Sequence, residues 1–277
     1  MRNNSIPSIF KGAKEYKEIP EALEPAQATF NEKGLYQAIT SFAIDWFKSK
    51  ERKARVLDLC SATGLCALRV AKAIPVSDVT LVDTDRGALK KGVGYFTDVC
   101  PVTTHCVDAV TFRDDKLFDI ILMNSAYHHI EDDRKVAFLQ TAANLLCDDG
   151  VILVGEHFLP PYKDREEFRQ SVIAFYTKLL QEFEQRNEPV EAIDVTRRAG
   201  LYCWEGVYEY KVSMERFLCD ITAAELVLLW KKGVWLFPCD KTDSVMPDVG
   251  SFALLLIPER SGTVLWTPPL SADNEIR

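Results

Sequence analysis

A short apolar run that breaks into small residues and reopens as an amphipathic stretch constrains this 277-residue chain more than any other feature. Arg55-Val56-Leu57-Asp58-Leu59 reads as a buried strand and Cys60-Ser61-Ala62-Thr63-Gly64 as a turn. Leu65, Leu68, Val70, Ala71 and Ile74 then give a helix its apolar face. The small side chains of Cys60, Ser61, Ala62 and Gly64 let a ligand approach the backbone closely. The first amides of the helix would favour the anionic parts of that ligand. A strand, a small-residue turn and a helix in succession are how doubly wound α/β proteins hold a nucleotide.

The alternation continues. Asp78 to Asp83 is a second strand ending on an acid, Arg86 to Phe96 a helix, and His105 to Asp108 a third strand, again ending on an acid. Phe118 to Asn124 is apolar nearly throughout, as suits a central parallel strand buried on both faces. Asp133 to Cys147 reads as a helix with Val136, Leu139, Ala143 and Leu146 inward, and Val151 to Gly155 as a fifth strand. Strands and helices alternating at this spacing predict a doubly wound, Rossmann-like, mostly parallel sheet in an α/β fold.

Upstream, Pro7, Pro20 and Pro25 leave residues 1–33 irregular or with short helices, and Gly34 to Lys50 carries Leu35, Ile39, Phe42, Ala43 and Trp46 on one helical face. Residues 1–50 thus form a helical arm over the sheet, and residues 51–159 the Rossmann-like core. After Pro160-Pro161, Lys163 to Arg186 is a long helix with a stripe from Phe168 to Phe183, read as packing. Tyr202, Trp204, Tyr208 and Tyr210 follow, and residues 160–211 read as a helical cap insertion. Ser213 caps a further helix. Leu226 to Trp230, Val234 to Phe237 and Phe252 to Ile257 read as strands that complete the sheet within 212–260, with an antiparallel edge; 261–277 is a peripheral tail.

Composition narrows the function. The net charge of −8 argues against broad nucleic-acid binding, which needs a basic face. Eight scattered cysteines include no Cys-x-x-Cys pair, so they read as free thiols in a reducing compartment and no metal site is expected. Met1 to Ala13 lacks the apolar run of a secretory signal, and no stretch approaches the ~20 apolar residues of a membrane span. A cytoplasmic protein without a membrane partner is expected, and a homodimer is left open.

The turn does not suit a dinucleotide. Gly64 is its only glycine, and Asp58 at the strand end would repel a pyrophosphate. That acid suits a positively charged group, such as an α-amino group. With Val56 to Gly64, Val82-Asp83-Thr84-Asp85, Val107-Asp108-Ala109, Phe118 to Asn124 with Tyr127-His128-His129-Ile130, and Leu145 to Val154, the chain resembles the class I S-adenosylmethionine-dependent methyltransferases over residues 54–156. The resemblance implies S-adenosyl-L-methionine as cofactor, held by Asp58, Ser61, Gly64, Asp83, Thr84, Asp108, Ala109 and Asn124. Asp83 can accept both ribose hydroxyls, Asp108 an adenine amino group, and Asp58 the methionine amino group. Two of the loop's usual glycines are Cys60 and Ala62, whose side chains work against a left-handed backbone.

Methyl transfer from a sulfonium asks mainly for positioning, with a base where the acceptor must lose a proton. The candidate bases at the carboxyl edge are His128, His129, Glu156 and His157, with His128 and His157 taken as the catalytic pair. Two adjacent histidines cannot both face one site from a strand, so at most one of His128 and His129 is expected to be catalytic. Asn124-Ser125-Ala126-Tyr127 lacks the two prolines that, in the family, accompany methylation of planar amino nitrogens. The expected acceptor is an oxygen, nitrogen or carbon of a small apolar or aromatic metabolite, walled by Tyr16, Tyr36, Trp204 and Tyr208. The alternatives are a cyclase-type enzyme or binding module that keeps the cofactor without transferring the methyl, and, third, a nucleic-acid methyltransferase.

Overall fold

The computed structural model describes residues 6–15, 27–239 and 244–259. Its strands form one seven-stranded sheet in the order β3-β2-β1-β4-β5-β7-β6. They are β1 (Ala54–Leu59), β2 (Val76–Asp83), β3 (Val102–Cys106), β4 (Phe118–Asn124), β5 (Leu146–Phe158), β6 (Leu226–Pro238) and β7 (Val245–Pro258). The first five pair in parallel. β7 enters antiparallel between β5 and β6, so the expected antiparallel edge is present.

Helices cover both faces because the strands are apolar on both. Ala54 and Val56 point to the side covered by α1 (Phe30–Phe47), α2 (Leu65–Ala73) and α3 (Arg86–Tyr95). Leu57 and Leu59 point to the side of α4 (Lys135–Asn144) and α7 (Met214–Ala223). This period-2 division is what a pleated strand imposes. β7 repeats it, with Leu254 and Leu256 on one side and Ala253 and Leu255 on the other. The arm helix α1 seats Phe42 4.1 Å from the Trp230 ring and donates from Trp46 Nε1 to Asp149 O.

Three expectations need correction. Leu226 to Trp230 and Val234 to Phe237 are one strand: Lys231, Lys232 and Gly233 pair with Leu254, Ala253 and Phe252. β6 is the sheet edge, where lysines reach solvent without interrupting the ladder. Second, the third strand starts at Val102 and ends at Cys106, so Asp108 belongs to the loop beyond it. Third, the helix expected over Asp133 to Cys147 spans only Lys135–Asn144, and Leu146 opens β5 instead of facing inward from that helix. The expected helical cap contains a long helix, α5 (Arg165–Gln185), and a second, α6 (Val190–Glu205), in which Ala192, Val195 and Leu201 are buried.

α5 and α6 pack on each other through a third apolar cluster. Phe175, Tyr176, Leu179 and Phe183 meet Leu201 and Trp204, with Trp235, Phe237 and Val249 from the β6–β7 ends beneath them. The strand ends that overhang the parallel sheet therefore carry the helical pair. Ser213 caps α7 as expected, accepting from Arg216 N at 3.3 Å.

Candidate active site

The loop between β1 and α2 is held from below. Ser61 N donates to Val82 O and Gly64 N to Ser61 O. Ala62 N donates to Asp83 Oδ2 at 2.8 Å, while Asp83 Oδ1 accepts from Asp85 N at 2.8 Å. Cys60 and Ala62 sit at φ 55° and 48°, and Gly64 at φ 72°. The expectation that Cys60 and Ala62 would resist a left-handed backbone is thus wrong: the loop takes that path without glycine. Asp83 offsets part of the cost by fixing the Ala62 amide. Gly64 is required for space as well, since a Cβ there would lie 2.8 Å from Leu81 Cδ1.

Above this loop, along the carboxyl ends of the parallel strands, opens a cavity of about 770 Å³. Asp58, Ser61, Asp83, Thr84, Asp108, Ala109 and Asn124 all line it, as do Tyr36, His128, His129 and His157. Gly64 shapes the loop from behind rather than lining the cavity. Trp204 and Tyr208, expected on the substrate wall, are not among the lining residues. Trp204 packs within the cap cluster with the Arg169 guanidinium 4.6 Å from its ring, and Tyr208 is 71% exposed. Tyr16 lies outside the described residues. The apolar wall comes instead from Phe175, Tyr176, Leu179 and Phe183 of α5 and Val195 and Ala199 of α6. The α5 stripe is both core packing and wall.

Four buried polar atoms without a hydrogen-bond partner face this one cavity: Asn31 Oδ1, Asp58 Oδ2, Ser61 Oγ and Asn124 Oδ1. Leaving such atoms bare costs roughly 1–3 kcal/mol each, so they mark where a polar ligand is complementary. Burial pushes the Asp58 carboxyl up to about 8, with the Ala67 amide opposing and the Asp83 charge reinforcing. An ammonium group would restore its charge. Asp108 is engaged already: Oδ1 accepts from Val110 N at 2.9 Å and Oδ2 from Arg134 Nη2. Burial works against its ionised form, but the Arg134 and Val110 hydrogen bonds outweigh that and hold it below the ordinary range.

The β4–β5 half of the cavity holds the histidines. His128 and His129 lie on a short 3-10 turn, Tyr127–His129, rather than on a strand. The turn lets both line the cavity, so the premise that a strand would turn one of them away is corrected. His128 Nδ1 lies 2.6 Å from Glu156 Oε1, and Glu156 also accepts from His128 N and His157 N. Burial, with Lys211 nearby, holds the His128 imidazole well below its usual range and so neutral. His157 Nδ1 meets Ser251 Oγ at 2.7 Å, and its Nε2 meets Glu32 Oε1 at 3.0 Å.

Glu32 is the residue that reading the sequence missed. It reaches from the first turn of α1 to the ends of β4 and β5, accepting from Asn124 Nδ2 at 3.1 Å and Ser125 Oγ at 2.8 Å as well as contacting His157. Burial raises its pKa, but His157, Ser125 and Asn124 together lower it further, leaving it an ionised carboxylate. Nothing local in Asn31-Glu32-Lys33 separates this acid from a solvated one. Glu209 and Lys211, both buried and paired at 2.6 Å, were missed for the same reason. Gly155 admits Asn124, because a Cβ there would come 2.2 Å from Asn124 Oδ1.

Comparison with known proteins agrees with this architecture. Residues 56–150 match a family model described as a methyltransferase domain. An uncharacterised methyltransferase of Staphylococcus carnosus is 27% identical over 146 residues, which are 50% of this chain and 61% of the relative. One of Mycobacterium bovis is 32% identical over 110 residues, 39% of this chain and 53% of the relative. The chain therefore spans only about half to three fifths of those relatives. Among solved structures, an S-adenosylmethionine-dependent methyltransferase from Clostridium acetobutylicum has a TM-score of 0.55 at 13% identity, covering 88% of this chain and 97% of that one. The plantazolicin methyltransferase BpumL, solved in complex with a monoazolic desmethylPZN analog and SAH, has a TM-score of 0.58 at 13% identity, covering 88% of this chain and 90% of that one. Over residues 56–150 this chain is therefore similar to the methyltransferase-domain family, and its fold is that of the solved S-adenosylmethionine-dependent methyltransferases.

Proposed function

We propose that the chain transfers the methyl group of S-adenosylmethionine to a small, apolar or aromatic metabolite. One observation carries this reading: a single cavity joins a row of bare polar atoms over β1 and β4 to an apolar wall from α5 and α6. The bound cofactor supplies an electrophilic methyl group on a positively charged sulfonium. Asp58 is suited to its ammonium, Asp83 to its ribose hydroxyls, and Ser61 and Asn124 to its remaining polar groups. Asp108 can serve the adenine amino group only by sharing its carboxylate with Arg134.

The acceptor then occupies the half beneath α5 and α6. Phe175, Leu179 and Val195 exclude water there, and the charge of the sulfonium disperses as its methyl leaves, which a dry site favours. For an acceptor that must lose a proton, the base facing it is Glu32, because Glu32 covers His157 Nε2. His157 and Ser251 behind Glu32 orient it and can share the proton. His128 opens its own Nε2 on the same half.

The hint against methyl transfer came from Cys60 and Ala62, and both adopt the backbone a glycine would. Seven carboxylates on the cavity (Glu32, Asp58, Asp83, Asp85, Asp108, Glu131 and Glu209) also disfavour a nucleic-acid acceptor. The reading is tested by incubating the protein with methyl-labelled S-adenosylmethionine and a fractionated metabolite extract. Label is expected in a low-mass, organic-extractable product. Label recovered only in nucleic acid or protein, or none released from the cofactor in any fraction, would contradict it.

A further inference from the structure

We infer that His128 Nε2, His129 and Glu209 form a binding site for a divalent transition-metal ion at the acceptor end of the cavity. The site shares that cavity with the methyl-transfer reading and rests on it only for naming this half the acceptor end.

The argument begins with tautomers. Glu156 takes the proton side of His128 at Nδ1, and the neutral ring then presents a lone pair at Nε2. That lone pair faces Glu209 Oε2 at 3.7 Å, an acceptor facing an acceptor at a distance too long for a hydrogen bond. The second carboxylate oxygen, Oε1, stands 3.9 Å from His129 Nδ1. The three side chains each offer a ligand atom within 4.8 Å of the others. Zinc bonds to nitrogen and oxygen run about 2.0–2.2 Å, which sets the ligand atoms of a tetrahedral site about 3.4 Å apart. Small side-chain rotations close the present gaps to that spacing.

The surroundings suit an ion as well. A carboxylate behind a ligating imidazole fixes its tautomer and strengthens it as a ligand, and Glu156 does this for His128. Glu209 is buried, with Lys211 as its ion-pair partner. Lys211 holds Oε2 at 2.6 Å and so leaves Oε1 the better placed oxygen for the ion. His129, about half exposed, would exchange its 3.1 Å contact with Tyr208 O for the metal. Two imidazoles and one carboxylate leave coordination positions open to the cavity, where they fit an acceptor that carries an oxygen ligand. Among the described residues, the other cluster of this kind, Asp119, Cys147 and Asp149, has its carboxylates engaged by Arg52 and carries no such inference.

The test uses the full chain, stripped with EDTA and titrated with ZnCl2 and then CoCl2. One equivalent should bind with micromolar or tighter affinity, and cobalt should show the intensified visible absorption of a low-coordinate nitrogen–oxygen site. His129→Ala and Glu209→Gln should each weaken binding at least tenfold while S-adenosylhomocysteine affinity changes less than twofold. That second readout shows the variants are folded and separates this proposal from the methyl-transfer reading. His129 is exposed, so its variant stays informative even where Glu209→Gln destabilises the chain. No bound equivalent, or zinc held equally by the wild type and His129→Ala, or a thiolate charge-transfer spectrum from cobalt, would overturn the site.

Discussion

On the proposed reading, Asp58 is the residue on which cofactor recognition turns. Its carboxyl, pushed up to about 8 by burial, is mostly protonated at neutral pH, and its Oδ2 has no partner. An ammonium ligand needs the carboxylate, so binding should release about one proton at pH 7. The sign follows: affinity for S-adenosylmethionine rises with pH, by up to about tenfold per unit between about pH 6 and 7.5. Calorimetry in buffers of different ionisation enthalpy reads the proton directly. Asp58→Asn should abolish the pH dependence along with most of the affinity, and a flat profile in the wild type would remove Asp58 from this role. Ala62 supports a second prediction. A left-handed alanine is strained by roughly 1–2 kcal/mol, against about 0.5–1 kcal/mol of extra chain entropy for glycine. Ala62→Gly should therefore stabilise the fold by about 0.5–1 kcal/mol, measured by urea unfolding. At this scale the acids at strand ends were legible in the sequence because strand, turn and helix fixed where each would emerge. Glu32, Glu209 and Lys211 were not, because only tertiary packing distinguishes them from surface charges.

The arm helix α1 does more than cover the sheet. Through Glu32 it is latched to Asn124, Ser125 and His157 at the ends of two parallel strands. Because the folded-state pKa of Glu32 lies below its ordinary value, its contribution is present above about pH 4.5 and fades as pH falls through the lowered value. Glu32→Gln should cost about 1–3 kcal/mol near neutrality and converge with the wild type in acid, as thermal melts across pH would read. Equal melting at neutral pH would mean the latch holds nothing. The continuous strand β6 shows why some elements escaped the sequence, since Lys231-Lys232-Gly233 resembled a break between two strands. An edge strand tolerates what a central strand does not, and the edge is known only once the sheet is assembled.

The whole molecule divides its labour along one sheet edge. Acids from β1, β2 and the loop after β3 line one end of the cavity, and the histidines with the α5–α6 wall line the other. The order β3-β2-β1-β4-β5 brings them together, although Asp58 and Ala199 stand far apart in sequence. This order follows from right-handed crossovers, which is why the parallel core was legible from alternation alone. The cap was legible only as an insertion, since its placement depends on the overhanging ends of β6 and β7. Among the described residues no helix is long and apolar enough to cross a membrane. The central claim is that this cavity is complementary to the cofactor. Titration of the full chain with S-adenosylhomocysteine in a calorimeter tests it most directly. One site per chain with micromolar affinity, weakened at least tenfold in Asp58→Asn, is the predicted result; no heat at millimolar ligand from a chain shown to be folded would contradict it.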